Sequence, residues 1–343
     1  MGLHIAPDFR IRGKRILVMI MSDPQEILAT MSDALERICP DGDWRLSPPQ
    51  SGSRKCDIYI VTNTSAAQKL ALKVYREDAV SEQAPGLQFR ALDRLQKAEP
   101  RIAAPAVFSF SAEHRAILME WIDAETIQKV LWRWTLLPAK RQEAVKKTGK
   151  WLRRFHEVSH IAMQPIDGEK LAQKLATQLS KHKHTPHFEA IQHCIKKFEA
   201  AAQATGPDVP HALLHGDFTI RNVLMQDEAP IGVDIWGARM GPVFEDAARF
   251  ITYTAVNSPF SLSAAPWHPD GVLSQSFAAG YGKDLLDVRS RSWILVLWYQ
   301  FIRRWIVYSA RSSAGSFAAL NGWQAKRAAT GARSLQSWLE DCF

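Results

Sequence analysis

The sequence predicts an α+β chain of two lobes, a small strand-rich N-terminal lobe and a larger, mostly helical C-terminal one. Three observations carry this. β-Branched and alternating runs cluster early, at residues 56–62, 70–75, 106–110 and 116–121. From Ala124 onward, apolar residues recur at helical spacing. With 343 residues, 46% hydrophobic and 23% charged, the chain exceeds what one compact core usually absorbs.

Each element has a local reason. Residues 24–39 place Ile27, Leu28, Met31, Leu35 and Ile38 near the 3.6 period, which predicts a helix. A short strand follows at 44–47. The strands at 56–62 and 70–75 flank Asn63-Thr64-Ser65, whose turn chemistry predicts an antiparallel hairpin. Residues 86–96 return to helical spacing with Leu87, Ala91, Leu92 and Leu95 on one side, and a polar turn at 111–114 joins the strands at 106–110 and 116–121. A helix is expected at 138–158, where Pro138 suits a first turn, and another at 187–204, closed by Thr205-Gly206-Pro207.

Composition excludes several classes. Fifteen Phe and 12 Trp do not suit a disordered chain, and no repeat or low-complexity tract is visible. Four scattered cysteines, with no C-x-x-C pair, fit a reducing cytoplasm, the expected location. The early apolar run, residues 16–21, is too short for a leader core. Residues 293–302, the most apolar stretch, end at Arg303-Arg304, whereas a spanning helix needs about 20 apolar residues. A buried core helix is expected there and no transmembrane segment. The net charge of +8 is mild, and no nucleic-acid-binding motif accompanies it, so no nucleic-acid partner is expected. The sequence leaves the oligomeric state open.

The chemistry concentrates in three segments. Residues 213–224 read LLHGDFTIRNVL, residues 231–236 IGVDIW and residues 241–250 GPVFEDAARF. Asp217 stands in a short loop after an apolar pair, Asn222 lies five residues on, and Asp234 twelve beyond that. Phosphoryl transfer needs these types: one carboxylate to align and deprotonate a hydroxyl, and an amide oxygen with a second carboxylate to hold Mg²⁺ against the phosphates.

H-G-D-x-x-x-x-N, D-x-W and G-P-x-x-x-D-x-A in this order resemble the aminoglycoside phosphotransferase and choline kinase superfamily, whose fold is protein-kinase-like. Gly216, where protein kinases usually carry Arg, is similar to these small-molecule kinases. The resemblance spans about residues 45–255. It implies an N-lobe at 1–118 (N-terminal extension, antiparallel sheet and one helix) that binds nucleotide, a hinge at 119–124, and a C-lobe at 125–343. It further implies Asp217 as catalytic base, His215 as a loop-positioning residue, Asn222 and Asp234 as metal ligands, and Asp246 as the acid steadying the loop. His156, in LRRFHE, resembles a helix histidine packed beneath that loop. Arg221 is a candidate contact to acceptor or phosphate, with an ordinary salt bridge as the alternative.

In ALKVYRED, Lys73 resembles the lysine gripping the α- and β-phosphates of ATP or GTP. A lone lysine in a strand otherwise reads as an edge or snorkelling residue. Ser51, Gly52 and Ser53 are expected in a phosphate-covering turn between strands. The backbone near Glu120 and Ile122 resembles the adenine-binding hinge. Where the family sets a Glu to fix the lysine, this chain has Gln88, so either Lys73 is held less tightly or another carboxylate, Glu82 nearest in sequence, takes over. The alternative is a shifted helix register that makes Gln88 a surface residue.

The implied activity is Mg²⁺-dependent transfer of the γ-phosphate of ATP or GTP to a small-molecule hydroxyl. The last 63 residues carry nine Lys/Arg against four Asp/Glu, which favours a neutral or anionic, sugar-like or amino-alcohol acceptor. Two alternatives are an aminoglycoside kinase, which the acidic LEDCF terminus resembles, and a non-catalytic nucleotide-binding module, against which the intact Asp217, Asn222 and Asp234 argue.

Overall fold

A computed structural model describes residues 10–11, 14–15, 23–40, 42–52, 55–203, 207–237, 239–257, 265–313 and 317–342. The chain divides into two compact units, Met1–Val80 with Ser109–Leu118, and Ser81–Phe108 with Met119–Phe343.

The first unit opens with β1 (Arg10–Ile11) and β2 (Lys14–Arg15), a short antiparallel pair, then α1 (Pro24–Ala29) and α2 (Ser32–Ile38). The single helix expected over 24–39 is thus two. The Thr30 hydroxyl donates to the Ile27 carbonyl at 2.7 Å, and Met31 leaves helical geometry at φ −105°, ψ 14°. Side-chain bonding of this kind competes with the helical ladder.

β3 (Trp44–Gly52), β4 (Cys56–Asn63) and β5 (Lys69–Tyr75) join β6 (Val107–Ser111) and β7 (Ala116–Glu120) in a sheet of order β3-β4-β5-β7-β6. β3 runs five residues past its expected end. It does so through register shifts around Pro49, where proline cannot donate to the ladder, and the Ile60 amide donates to Ser47 Oγ at 3.1 Å instead. Ser51 and Gly52 are therefore strand residues opposite Ile58 and Asp57, not a turn between strands, and Ser53 lies outside the described residues. The hairpin turn is as read: Asn63 Oδ1 accepts from the Ser65 and Ala66 amides at 2.9 and 3.2 Å.

The second unit contains α3 (Ala84–Lys97), β8 (Glu125–Thr126), α4 (Ile127–Arg133), α5 (Pro138–Glu157), β9 (Ala162–Gln164), α6 (Gly168–Ser180) and α7 (Phe188–Ala202). β10 (Val209–Leu213), β11 (Val223–Gln226), β12 (Ala229–Gly232) and β13 (Met240–Pro242) follow, then α8 (Phe244–Asn257), α9 (Val272–Tyr281), α10 (Arg291–Ser312) and α11 (Ala318–Cys342). Two small sheets, β13-β10-β9 and β12-β11-β8, bracket the segment that carries the motifs. Residues 81–108 group here and not with the first unit, unlike a single cut at residue 118. The ties are specific. The Ala103 carbonyl accepts from Trp151 Nε1 at 2.8 Å and from the Gly232 amide at 3.3 Å, and Gln88 Nε2 donates to the Ile235 carbonyl at 3.3 Å.

α10 is the central helix of this unit, with Trp293, Trp298, Phe301 and Ile302 at 0–1% exposure, as its apolar run predicts. No helix among the described residues is long and apolar enough to cross a membrane. α5 and α9 meet through glycines: a Cβ on Gly149 would lie 2.3 Å from the Phe277 carbonyl oxygen, and one on Gly280 would lie 1.8 Å from that of Lys146. Glycine costs a helix about 1 kcal/mol relative to alanine, and close backbone approach is what holds it here. Gly280→Ala is expected to lower stability by about 2–3 kcal/mol through overpacking against backbone that cannot yield. Gly322→Ala on α11, whose new Cβ would find its nearest neighbour at 3.9 Å, should instead stabilise by about 0.5–1 kcal/mol. Urea unfolding of both variants measures the contrast.

Candidate active site

The loop from His215 to Asn222 joins β10 to β11. Its flanks are anchored by burial: Leu214 is 1% exposed, Phe218 0% and Ile220 2%. Phe218 stacks on Trp151 with ring centroids 5.7 Å apart and contacts Phe250 at 5.5 Å. Burying such a ring contributes about 1.5–3 kcal/mol, enough to pin the loop at its middle. Between these anchors the Asp217 side chain stays 47% exposed. Gly216 takes φ +86°, a left-handed conformation that glycine adopts without strain, which is why His-Gly-Asp suits this turn.

Asp246, in the first turn of α8, organises the loop from below. Its Oδ2 accepts from the His215 amide at 2.6 Å and its Oδ1 from the Gly216 amide at 3.2 Å. His156 Nε2 lies 3.3 Å from Oδ2, and His156 Nδ1 lies 2.8 Å from the Tyr281 hydroxyl. Burial acts to raise the Asp246 pKa, but the hydrogen bond and charge of His156, with His215 and Arg249, outweigh it and leave the carboxyl below its ordinary range. His156 and Asp246 thus occupy the supporting positions that the motif resemblance implied.

Three residues on, and on the same face of α8, stands Arg249, which the motif reading did not single out. Its guanidinium donates to the Gly216 carbonyl, and its Nη1 lies 3.2 Å from Asp217 Oδ1. Asn222 holds the other side: its Nδ2 donates to the Asp217 carbonyl at 2.8 Å and to Asp217 Oδ2 at 3.1 Å. Each oxygen of the Asp217 carboxylate therefore has a donor from a different element. The i, i+3 spacing of Asp246 and Arg249 was the available signal. Tyr281 offered none, being 125 residues from the histidine it meets.

Asp234 follows β12 and is half-buried, in the left-handed region at φ +56°, which aspartate tolerates better than most residues. The Val233 amide donates to the Asn222 carbonyl at 3.0 Å and the Trp236 amide to the His215 carbonyl at 2.9 Å, so the Asp234 segment is stitched to the loop at both ends. Gln88, at 1% exposure, is no surface residue; its bond to Ile235 ties α3 to the residue after Asp234. Arg221 is exposed, and Glu82 is exposed as well.

The remaining predicted residues are placed separately. Lys73 lies in the first unit on β5, the third of five strands, opposite Ile58 and only 1% exposed. It is thus neither an edge nor a snorkelling residue; its Nζ sits 5.0 Å from the Tyr75 ring centroid. Ser51 and Gly52 belong to the same unit. Glu120 ends β7; its amide donates to the Ala106 carbonyl at 2.8 Å while its carboxylate accepts from the Ala106 amide at 3.1 Å. Ile122, just beyond, is half-buried.

His215 is wholly buried, its Nδ1 accepting from the Asp217 amide at 3.4 Å. Burial first of all keeps its pKa below the ordinary 6.5, although Asp246, Asp217 and Asp234 pull the other way. Below pH 6.5 the unfolded chain therefore binds a proton at this imidazole that the folded chain does not, so stability falls as pH drops from 6.5. Asp246 acts lower: its contribution is present above its ordinary 3.8 and lost as pH falls through its depressed folded value. Urea midpoints measured between pH 7.5 and 5.0 are expected to fall less in His215→Gln than in the wild type, and parallel curves would reject this account.

Residues 49–288 match the phosphotransferase enzyme family, APH, over more than half of the chain. No curated protein matches the sequence. In fold the chain is similar to a choline/ethanolamine kinase family protein from Mesorhizobium loti (12% identity, TM-score 0.60, covering 92% of this chain and 99% of that one). It is also similar to an ethanolamine kinase of Plasmodium vivax (12%, 0.57, 90% and 89%). A third likeness is to an amicoumacin kinase solved with AMP-PNP and Ca²⁺ (12%, 0.57, 92% and 96%). At such identities these likenesses speak for the fold, and the family match speaks for the chemistry: the chain belongs to the phosphotransferase enzyme family, a small-molecule kinase in a protein-kinase-like fold.

Proposed function

We propose that this protein transfers the γ-phosphate of ATP, or of GTP, to a hydroxyl of a small neutral or anionic molecule with Mg²⁺ as cofactor. The observation that carries the reading is Asp217: a half-exposed carboxylate on a loop buried at both flanks, one oxygen held by Arg249 and the other by Asn222. A base oriented this way meets the geometric demand of in-line transfer, which relies on positioning and charge stabilisation more than on covalent chemistry.

The acceptor hydroxyl gives its proton to Asp217 as its oxygen bonds the γ-phosphorus. The bond from that phosphorus to the β–γ bridging oxygen breaks, and the nucleoside diphosphate departs with the electron pair. His215, through its bond from the Asp217 amide, and Asp246, through its two loop amides, hold the base in register. In this reading Lys73 grips the α- and β-phosphates, and the hinge backbone near Glu120 and Ile122 meets the nucleotide base. Arg221 reaches acceptor or phosphate from the C-lobe.

The residues present fit magnesium. The Nδ2 of Asn222 is committed to Asp217, so its Oδ1 is the atom left for a cation, and Asp234, whose neighbour Val233 is bonded to the Asn222 carbonyl, would supply the second oxygen ligand. Among the described residues no group of three His, Cys, Asp or Glu side chains gathers as an all-protein metal cage. Two oxygen ligands completed by substrate phosphates is the usual magnesium arrangement in such sites, and the ion supplies neutralisation of phosphate charge. The AMP-PNP and Ca²⁺ held by the amicoumacin kinase of similar fold support a nucleotide and a divalent cation here.

Asp217→Asn is expected to lower turnover about 10²-fold or more with KM for ATP nearly unchanged. Arg249→Lys, which keeps charge but loses the fork, should lower kcat about tenfold. Wild-type turnover by Asp217→Asn in a radiolabelled-ATP acceptor panel would overturn the assignment of the base. Lys73→Ala should raise KM for ATP at least about tenfold, and an unchanged KM would remove Lys73 from the nucleotide site.

A further inference from the structure

Beside Asp217 the second unit gathers more positive charge than its own carboxylates offset. Arg249 on α8 and Arg304 on α10 are 8% and 7% exposed, and the Nε atoms of both are buried without a hydrogen-bond partner among the described residues. Arg304 lies over the Tyr253 ring at 4.0 Å from guanidinium to centroid, and its Nη1 donates to the Tyr253 hydroxyl at 2.8 Å. Arg303, next along α10, is half-buried, and no carboxylate among the described residues lies within ion-pair distance of it. Burial first, then the charges of Arg249 and Arg304, push its pKa down. Arg221 on the catalytic loop joins this field, since its charge and that of Arg304 both act on Tyr308. Among the described residues the one carboxylate in ion-pair contact with the group, Asp217, is held by Arg249 and is the proposed base.

Buried like charges repel, and an arginine without a partner in a low-dielectric site is costly. Guanidinium forks match carboxylate and phosphate oxygens two at a time, so a bound anion removes both costs. We propose that Arg303 and Arg304, beside Arg249, form the subsite that recognises an anionic group on the acceptor. The substrate is then a hydroxyl compound carrying a carboxylate or phosphate, with the anion on α10 and the hydroxyl at Asp217. This rests on the kinase reading of Asp217 and narrows its acceptor from neutral or anionic to anionic. A polycationic acceptor is disfavoured by the same field. Glu340 of the acidic terminus does not offset it, because that exposed carboxylate is paired with Lys197 at 3.3 Å.

The test uses the full chain at low ionic strength. Isothermal titration with inorganic phosphate and gluconate, against glucose and kanamycin, is run with and without saturating AMP-PNP. The anions are expected to bind at least about tenfold tighter than glucose or kanamycin, to keep binding beside AMP-PNP, and to lose about tenfold or more in Arg303→Gln. Arg303→Lys should lose less, and AMP-PNP affinity, unchanged in both variants, reports that they fold. Equal or tighter binding of glucose or kanamycin, no anion binding at all, or equal binding by Arg303→Gln would overturn the subsite. Anion binding abolished by AMP-PNP would overturn it too, assigning these arginines to nucleotide phosphate. In parallel, transfer from labelled ATP to the same compounds is measured. Arg303-dependent anion binding without transfer to any compound would leave the subsite standing and sink the kinase reading alone.

Discussion

The site hangs on one buried carboxylate. Asp246 at 1% exposure accepts from two consecutive loop amides and faces His156, so a single side chain sets the path of the chain just before Asp217. Charge-assisted bonds to such a group are worth about 1.5–3 kcal/mol each, against a desolvation penalty that falls in full if a partner is lost. That asymmetry explains why its support reaches so far through the fold. His156 comes from α5, its ring nitrogen meets Tyr281 at the end of α9, and the two helices lie close enough for that contact only because Gly149 and Gly280 have no side chains.

α8 serves the loop twice. Glu245 and Asp246 lie in its first turn, where the helix dipole favours negative charge, and one turn later Arg249 reaches the Gly216 carbonyl and the Asp217 carboxylate. The same helix thus binds loop donors with an acid and loop acceptors with a base. A shift of α8 would loosen both sets together, since both are carried by side chains one turn apart on the same helix. The segment carrying Asp234 is held by different means, through main-chain bonds to Asn222 and His215 and through the amide of Gln88. Asp217, the proposed base, and Asp234, a proposed metal ligand, are therefore held by different bonds that meet at the same loop.

Behind this polar frame lies an aromatic one. Trp151, Phe155, His215, Phe218 and Phe250 form a chain of ring contacts between 5.4 and 6.2 Å that runs from α5 under the loop to α8. A Cβ on Gly232 would lie 2.2 Å from the Trp151 ring, so β12 passes as close to that ring as backbone can. Packing of this density transmits displacement instead of absorbing it, which suits a loop whose carboxylate must hold its direction.

The sequence by itself determined the two strand-rich and helical halves, the core character of α10 and the order of the phosphotransferase motifs. These rest on side-chain periodicity and on short-range spacing, both of which act within a few residues of the chain. Its local signals also placed Asp246 under the loop through the resemblance of G-P-x-x-x-D-x-A, and left Gln88 as a neutral amide of undecided place. Only the tertiary structure decided the rest. It broke the 24–39 helix at Thr30, carried β3 through its prolines so that Ser51 and Gly52 became strand, and grouped residues 81–108 with the helical unit. It also turned Gln88 inward to Ile235 and brought Arg249 to Asp217 and Tyr281 to His156. Each of these outcomes depends on which groups meet across tens to more than a hundred residues of chain. Such meetings are set by the satisfaction of buried polar groups and the close approach of backbones, neither of which leaves a periodic trace in the sequence.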